Sequence, residues 1–562
     1  MSRKQGIWRL GLGGSDHDFS AALAHDCDIK VAIEQERITR VKNGLSVWYR
    51  EPMAPAIDYC LRAEGLKFED VDAIVASDTI PARSRAAFGG KSLQLFSHHL
   101  CHAASAYMMM PPDSTAAVLV YDGYGSIVEN GNQADGRSRR ETISFHVFGP
   151  EGAQTLGTTT GYGYLEQDDF PIGISNSVGM LYEIATCVLG YGPMDSGKTM
   201  GLAAYGRPDH AGVLQDFVTF GDDMSDCFRC PTDSDEIVEC MERILVLGKG
   251  SFSARADLAA SIQAVTENAL LHCVSLLAPM EADYIAISGG CGLNTVANAK
   301  LVTSLAGARD VFIPPHCGDA GLGLGALWLA ASSERNGRAP SFTFQSERIA
   351  PAIARPGRIY GDEEVVRAAQ QYYPRLVIDP SVSTPDDLAQ ILAKGDIVGI
   401  LNGRSEIGPR ALGGRSLLAD PRNVQTRERI NRSIKGREPF RPLAPLVLAS
   451  EYDNYFHDSA CADAYMLKVA RARERCLREA PAALHIDGTA RVQTVDREGD
   501  PFLIAILAAF GALTNVPILL NTSFNRRGEP IVETPEDAID VFLGVDLDGL
   551  YMNGKYFRKP LA

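Results

Sequence analysis

Short apolar runs and longer stretches of helical period follow one another along the chain. Residues 7–13 are apolar and end in glycines. Runs at 20–23 and 29–34 follow closely, which predicts strand, turn and strand with antiparallel pairing. Residues 73–77 and 117–121 read as short buried strands, with helical character between them over 93–110. A second set follows: a helix over 256–277, a strand at 284–287, a glycine turn, a helix over 295–301, a strand at 311–313 and a glycine-rich helix over 318–330. This alternation predicts an α/β architecture with ligands at strand ends. Residues 333–360 are polar, proline-bearing and aperiodic, and read as a junction. A new unit begins with a helix near 386–392 and a strand at 397–401.

Composition narrows the classes. With 54 basic and 70 acidic residues in 562, the net charge is −16, the wrong sign for a broad nucleic-acid footprint. Twelve cysteines lie scattered; Cys227 and Cys230 form a C-x-x-C pair with no second pair to complete a zinc site. Such scattered thiols suggest a reducing, cytoplasmic setting. The opening MSRKQGIWRLGLGG lacks the apolar core of a secretory leader, and no run reaches the ~18 apolar residues of a membrane span.

Five motifs carry candidate chemistry. In SHHLCHAA, His98 and His102 are spaced i, i+4 on one helix face, within reach of one cation; two ordinary helix histidines are the alternative. Asp122 ends a buried strand and Asp319 opens a glycine-rich helix, and imidazoles with carboxylates suit Fe²⁺, Mn²⁺ or Zn²⁺. Gly13 and Gly14 follow the first strand, where glycines admit phosphate or simply make a turn. Gly289, Gly290 and Asn294 lie between a strand and a helix, a better nucleotide position. Gly192–Thr199 fits G-x-x-x-x-G-K-[ST] by letter, but the residues before it have helical character. Lys198 therefore reads as a loop lysine rather than a P-loop lysine. Finally, Arg410, Arg415, Lys435, Arg437, Arg441 and Arg491, with Asn521, Ser523 and Asn525, crowd into loops rich in Gly and Pro. That composition points to anion binding; arginines pairing with Glu406, Glu428 and Glu438 are the plainer reading.

Ten stretches in one order resemble the O-carbamoyltransferase family of nodulation, cephalosporin and tobramycin carbamoyltransferases. Among them are GSDHDFSAAL, EQERITRVK, HHLCHAASAY, GKTMGLAAYG, GGCGLNTVAN, GRSEIGPRALGGRSLLADPR, NRSIKGREPFRPLAP and LLNTSFNRRGEPIVETPEDAI. The resemblance implies an actin-like (ASKHA) ATP-binding domain over 1–350 and a YrdC-like domain over 351–562. It implies carbamoyl phosphate, ATP with Mg²⁺ and a carbamoyl adenylate intermediate, with a hydroxyl-bearing small molecule, such as an antibiotic or other secondary metabolite, as acceptor. His98, His102, Asp122 and Asp319 would hold Fe²⁺ or another divalent ion. Gly13, Gly14, Lys198, Gly289, Gly290 and Asn294 would serve the nucleotide. Arg410, Lys435 and Arg441 would act catalytically. Arg415, Arg437, Arg491, Asn521, Ser523 and Asn525 would hold carbamoyl phosphate and triphosphate, the Asn and Ser side chains fixing the carbamoyl amide. His17 is the candidate general base, a structural histidine being the alternative. Loops bearing Trp48, Tyr49, Tyr162, Tyr164 and Phe170 would face the acceptor. No nucleic acid or membrane is expected as partner, and a homodimer stays open. A kinase or ATPase of actin-like fold and a tRNA threonylcarbamoyl transferase-like enzyme are the alternatives.

Overall fold

A computed structural model describes residues 6–15, 17–44, 55–81, 85, 88, 90–129, 137–163, 173–305 and 310–560. The chain divides into two compact units. One comprises residues 1–15, 20–29 and 69–349, the other 16–19, 30–68 and 350–562. The second unit thus gathers an early segment that a linear division at 350 leaves with the first. Trp48, Tyr49, Tyr164 and Phe170 lie outside the described residues.

The first unit repeats one strand arrangement. Strand β1 (Trp8–Gly13) runs antiparallel to β2 (Ser20–His25) and parallel to β4 (Ala73–Ser77), which runs parallel to β5 (Ser92–Phe96). Strand β3 (Asp28–Glu34) begins in this unit and continues into the other. In the second sheet, β6 (Ala116–Tyr121) is flanked by antiparallel β8 (Ser138–Gly149) and parallel β10 (Tyr284–Ser288), which pairs with parallel β11 (Asp310–Phe312). Strand β8 also pairs with β7 (Ile127–Glu129) and with β9 (Gly152–Gly163). The order β2-β1-β4-β5 recurs as β8-β6-β10-β11. Strands such as AAVLVY are apolar at every position because both faces are covered, so they give no alternation signal.

Residues 92–96 differ from the helical expectation over 93–110. They form β5, and helix α1 (His98–Tyr107) starts only after Ser97, whose hydroxyl accepts from the Leu100 N–H as N-cap. The polar-apolar SLQLF run has strand period, which a window extending into the helix averages away. Residues 343–344 and 347–348, within the expected junction, form two short strands, β12 (Thr343–Phe344) and β13 (Glu347–Arg348), at the edge of the first sheet.

Helix α6 (Leu322–Glu334) fixes the centre of this unit. Its residues through Ser332 are buried, and its glycines let backbone meet backbone. A Cβ on Gly325 would lie 1.9 Å from the Cys101 carbonyl of α1, and one on Gly13 would lie 2.3 Å from Leu322 Cβ. The GLG run of β1 and the GLGLG run of α6 are thus matched surfaces, which gives Gly13 a packing reason independent of any phosphate.

The second unit is an eight-stranded sheet with both faces covered. Its order is β14 (Val377–Ile378), β21 (Lys555–Arg558), β20 (Gly549–Met552), β15 (Val398–Leu401), β16 (Arg415–Ala419), β19 (Ile518–Ser523), β17 (Ala444–Leu448) and β18 (Gln493–Val495). Strand period two splits the core. Val398, Ile400, Leu418 and Leu519 pack with helices α8 (Pro385–Ala393) and α9 (Pro501–Thr514). Leu401, Leu417, Ala419 and Leu520 pack with α7 (Asp362–Gln370) and α10 (Pro535–Gly544).

Gly325→Val tests the close approach of α6 to α1. The added side chain must displace the α1 backbone, at about 1–3 kcal/mol for overpacking. Thermal unfolding of the variant should show a melting midpoint lower by several degrees.

Candidate functional site

Four residues far apart in sequence meet in the first unit. His98 and His102 come from the first turns of α1, Asp122 follows β6, and Asp319 opens the turn Asp319–Gly321 before α6. His102 Nε2 lies 3.1 Å from Asp122 Oδ2 and 3.4 Å from Asp319 Oδ1. His98 Nε2 lies 3.3 and 3.6 Å from the same oxygens, and 3.1 Å from His102 Nε2. One donor atom from each of the four falls within 4.8 Å of the rest. Two imidazoles and two carboxylates, nearly all buried, fit a divalent transition metal by donor chemistry.

The surroundings orient these donors. Asp122 divides its oxygens: Oδ1 accepts from the Gly123 and Gly290 N–H groups at 2.7 and 3.1 Å, and Oδ2 faces the histidines. Gly290 therefore works on the carboxylate, and Gly289, at φ +91°, has no room for a Cβ beside the Tyr121 carbonyl. Thr79 fixes His98: its hydroxyl donates to the Gly14 carbonyl at 3.0 Å, so it accepts from His98 Nδ1–H at 3.0 Å. The His98 lone pair is left on Nε2, toward the cluster. Burial alone would lower the His102 pKa. Hydrogen bonds to Asp122 and Asp319 outweigh it and push the ring up to about 9. Asp122, which burial would raise, is held well below the usual carboxylate range by His102 and His98.

Other expected nucleotide residues have local partners. Asn294 exchanges amide hydrogen bonds with Gln263 and caps helix α5 (Thr295–Leu305) by accepting from the Ala297 N–H. Lys198 lies in helix α3 (Ser196–Ala203), 2.7 Å from Asp195; the preceding element is helix α2 (Val178–Val188), not the strand a P-loop needs. Tyr162 lines a cavity of about 600 Å³ with Arg137, Asn176, Phe217 and Cys230. The neighbouring Ser177 hydroxyl reaches the carbonyls of Asp122 and Gly123.

The second unit gathers cations. Burial and then the positive charges of Arg410, Arg441 and Arg437 drive the Arg491 pKa well down. Arg437 is lowered to about 9 by burial and by Arg441, and Lys435 is lowered by burial, Arg437 and Arg441. Lys435 Nζ donates to the Ser523 carbonyl and hydroxyl and to Asn525 Oδ1. Arg437 Nε donates to Asn431 Oδ1 at 2.8 Å. Like charges crowded together disfavour one another's charged forms.

Arg415 stands differently. It is fully buried, and donates to the carbonyls of Glu533, Gly403 and Gly414, a strut in the strand rather than a member of the set around Arg491. Glu406, which a linear reading pairs with arginines, instead accepts from the Leu412, Gly414 and Arg415 N–H groups at 2.6–3.1 Å. The GRSEIGPRALGGR loop is wound around this buried carboxylate, and Arg410 projects from it. His17 packs in the second unit, its Nδ1 3.3 Å from Asp18 Oδ2. Thr79 carries no motif that singles it out, since its role lies in contacts distant in sequence.

The chain is similar to known proteins along nearly its whole length. The description "Carbamoyltransferase N-terminus" matches residues 82–328 and "Carbamoyltransferase C-terminus" matches 389–559. Nodulation protein NolNO of Sinorhizobium fredii is 31% identical over 97% of this chain and 79% of its own length. Nodulation protein NolO of Bradyrhizobium diazoefficiens is 34% identical over 83% of this chain and 79% of its own. The 3'-hydroxymethylcephem-O-carbamoyltransferase of Amycolatopsis lactamdurans is 38% identical over 46% of each. The chain belongs to the carbamoyltransferase family and is an enzyme of that type, acting between a carbamoyl donor and a hydroxyl acceptor. Among the described residues, no helix is long and apolar enough to cross a membrane.

Four outcomes are expected. Thr79→Val should weaken binding of a divalent ion about tenfold to hundredfold in chelator competition, and His102→Ala should leave the purified protein without stoichiometric metal by elemental analysis. In the second unit, inorganic phosphate should raise the melting temperature of the wild type. Arg491→Met should raise the melting temperature of the phosphate-free protein by removing like charge, while abolishing the phosphate-dependent rise.

Proposed function

We propose that this enzyme is an ATP-dependent O-carbamoyltransferase that uses carbamoyl phosphate and passes through carbamoyl adenylate to a hydroxyl of a small molecule, a secondary metabolite such as an antibiotic. The observation that carries the proposal is the crowding of the buried Lys435 with the half-buried Arg437, Arg441 and Arg491, whose mutual repulsion calls for a compact polyanion. The second unit is read as YrdC-like and the first as actin-like. The repeated β2-β1-β4-β5 and β8-β6-β10-β11 arrangement supports the latter assignment.

Carbamate is a poor electrophile until its oxygen becomes a leaving group. In the second unit water cleaves carbamoyl phosphate to carbamate and phosphate, and a carbamate oxygen then attacks the α-phosphorus of ATP, which forms carbamoyl adenylate and expels pyrophosphate. Arg410, Lys435, Arg437, Arg441 and Arg491 offset the charge that develops as these anions depart. Ser523 and Asn525 hold Lys435 in place by three hydrogen bonds. In the second reaction the acceptor oxygen attacks the carbamoyl carbon and AMP leaves.

In the first unit His98, His102, Asp122 and Asp319 would hold Fe²⁺ or another divalent ion, with Mg²⁺ accompanying ATP. Bound there, the ion would supply Lewis-acid polarisation of a carbonyl or phosphoryl oxygen. The chain's own part is orientation: Gly123 and Gly290 fix Asp122, and Thr79 fixes His98. The cavity beside Tyr162 and Arg137 is the proposed acceptor region. His17 is the proposed base for the acceptor hydroxyl, supported by a side chain only partly exposed beside Asp18.

The chain incubated with carbamoyl phosphate, ATP and a panel of natural-product alcohols should give AMP, pyrophosphate and an alcohol heavier by one carbamoyl group in mass spectrometry. Formation of ADP instead would favour a kinase or ATPase. Arg441→Ala should reduce carbamoyl phosphate-dependent pyrophosphate release by about a hundredfold or more. His102→Ala should keep that release and lose the carbamoylated product.

A further inference from the structure

The C-x-x-C cysteines have no part in the chemistry proposed above, and the first of them has a partner distant in sequence. Cys227 precedes the return strand of a short hairpin, in which Thr219–Phe220 runs antiparallel to Phe228–Arg229. Helix α4 (Phe252–Leu277) meets this hairpin through two successive residues. His272 stacks on Phe220, ring centroids 4.7 Å apart, and donates Nε2–H to the Gly221 carbonyl at 2.9 Å. Cys273 faces Cys227, and the two sulfurs are 3.9 Å apart. Cys227 is 0% and Cys273 2% exposed.

The contact is held from both sides. The Gly221 N–H donates to the Cys227 carbonyl at 3.1 Å, so His272 and Cys273 grip opposite ends of one hairpin rung. The Cys227 N–H donates to Thr159 Oγ1 at 3.0 Å, and that hydroxyl lies 3.2 Å from Cys227 Sγ. Hydrogen bonding from Cys273, joined by Thr159, lowers the Cys227 pKa against the effect of burial. The same bond raises Cys273. The proton thus stays with Cys273, and Cys227 is the nucleophilic sulfur. Cys227 also lies just behind an exposed tip, at Asp222, Asp223 and Ser225. A hairpin with two-residue strands opens readily, which gives a small oxidant its path.

We propose that Cys227 and Cys273 are a peroxide-sensitive modification site, which closes to a reversible disulfide and fastens the hairpin to α4. The Cys227 thiolate attacks one oxygen of hydrogen peroxide. An S–O bond forms, the O–O bond breaks, and the departing hydroxide takes up a proton as water. The Cys273 sulfur then attacks the sulfenic sulfur. The S–S bond forms, the S–O bond breaks, and hydroxide leaves with the Cys273 proton as a second water. The two thiols lose two electrons and the peroxide gains them; a dithiol reductant reverses the change. Cys230 stands apart from this step. It lines the cavity with Tyr162 and Arg137, and its N–H and carbonyl are bonded to Asn176 at 3.1 and 2.8 Å. The disulfide would therefore fix one wall of that cavity without consuming Cys230.

Peptide mapping tests this. The full chain is treated with hydrogen peroxide under native conditions, alkylated, digested without reductant and analysed by mass spectrometry. A peptide linking Cys227 to Cys273 should appear, vanish with dithiothreitol and leave Cys230 alkylated. The bond joins residues 46 apart, so the oxidised protein should melt several degrees above the reduced one. Cys230→Ser should form the same link. Cys273→Ser should form none, should show no peroxide-dependent rise in melting, and should label with dimedone at Cys227. Should Cys273→Ser fail to fold, the maps of wild type and Cys230→Ser decide. Three results overturn the proposal: both thiols still alkylated after peroxide, a link from Cys227 to Cys230 instead, or a Cys227–Cys273 link that forms only in denaturant.

Discussion

Positive charge held out of water with too little negative charge beside it is the constraint on which the second unit depends. Burial and mutual repulsion both act against the charged forms of Lys435, Arg437 and Arg491. A protein tolerates such an arrangement only if something else over-determines it. Here the support is a loop wound on the Glu406 carboxylate, a lysine clamped by Ser523 and Asn525, and an Asn431 side chain that tethers Arg437. These contacts fix the positions of Lys435 and Arg437 against the repulsion of their neighbours.

The first unit solves the opposite problem. Its four-residue cluster has two acids and two imidazoles, so its excess charge is negative and its donor chemistry suits a cation. Hydrogen bonds and charge from Asp122 and Asp319 push the His102 ring up to about 9 despite its burial. The geometry comes from the backbone. Close packing of α6 on α1 and β1 sets the histidines against Asp319, and the turn after β10 sets Asp122. The glycines that look like phosphate loops in the sequence are largely explained by these approaches.

Much of the α/β organisation was legible in the sequence, because long helices with clear period and short apolar runs announce themselves. The helix found at Phe252–Leu277 and the strand at Tyr284–Ser288 lie close to the positions that pattern predicts. The i, i+4 histidines and the two acids at element ends were legible too, since each is chemically conspicuous. Strand β5 was hidden by its adjoining helix. Thr79 was invisible for a different reason: its neighbours along the chain say nothing, and its partners Gly14 and His98 lie in other elements. The different place of Arg415 was hidden likewise, because a guanidinium that caps carbonyls and one that awaits an anion have the same letters around them.

The interleaving of the two units along the chain has a consequence for biosynthesis. Residues 30–68 belong with a body whose remaining sequence begins at 350. During translation at about 5–20 residues per second, the ribosome needs roughly 15 to 60 s to reach that body. Throughout that interval the Arg37 side chain lacks the Gly408 carbonyl it donates to, and Tyr59 lacks Glu533. An early fragment of the nascent chain therefore waits, its polar groups unsatisfied, until the late one has been made.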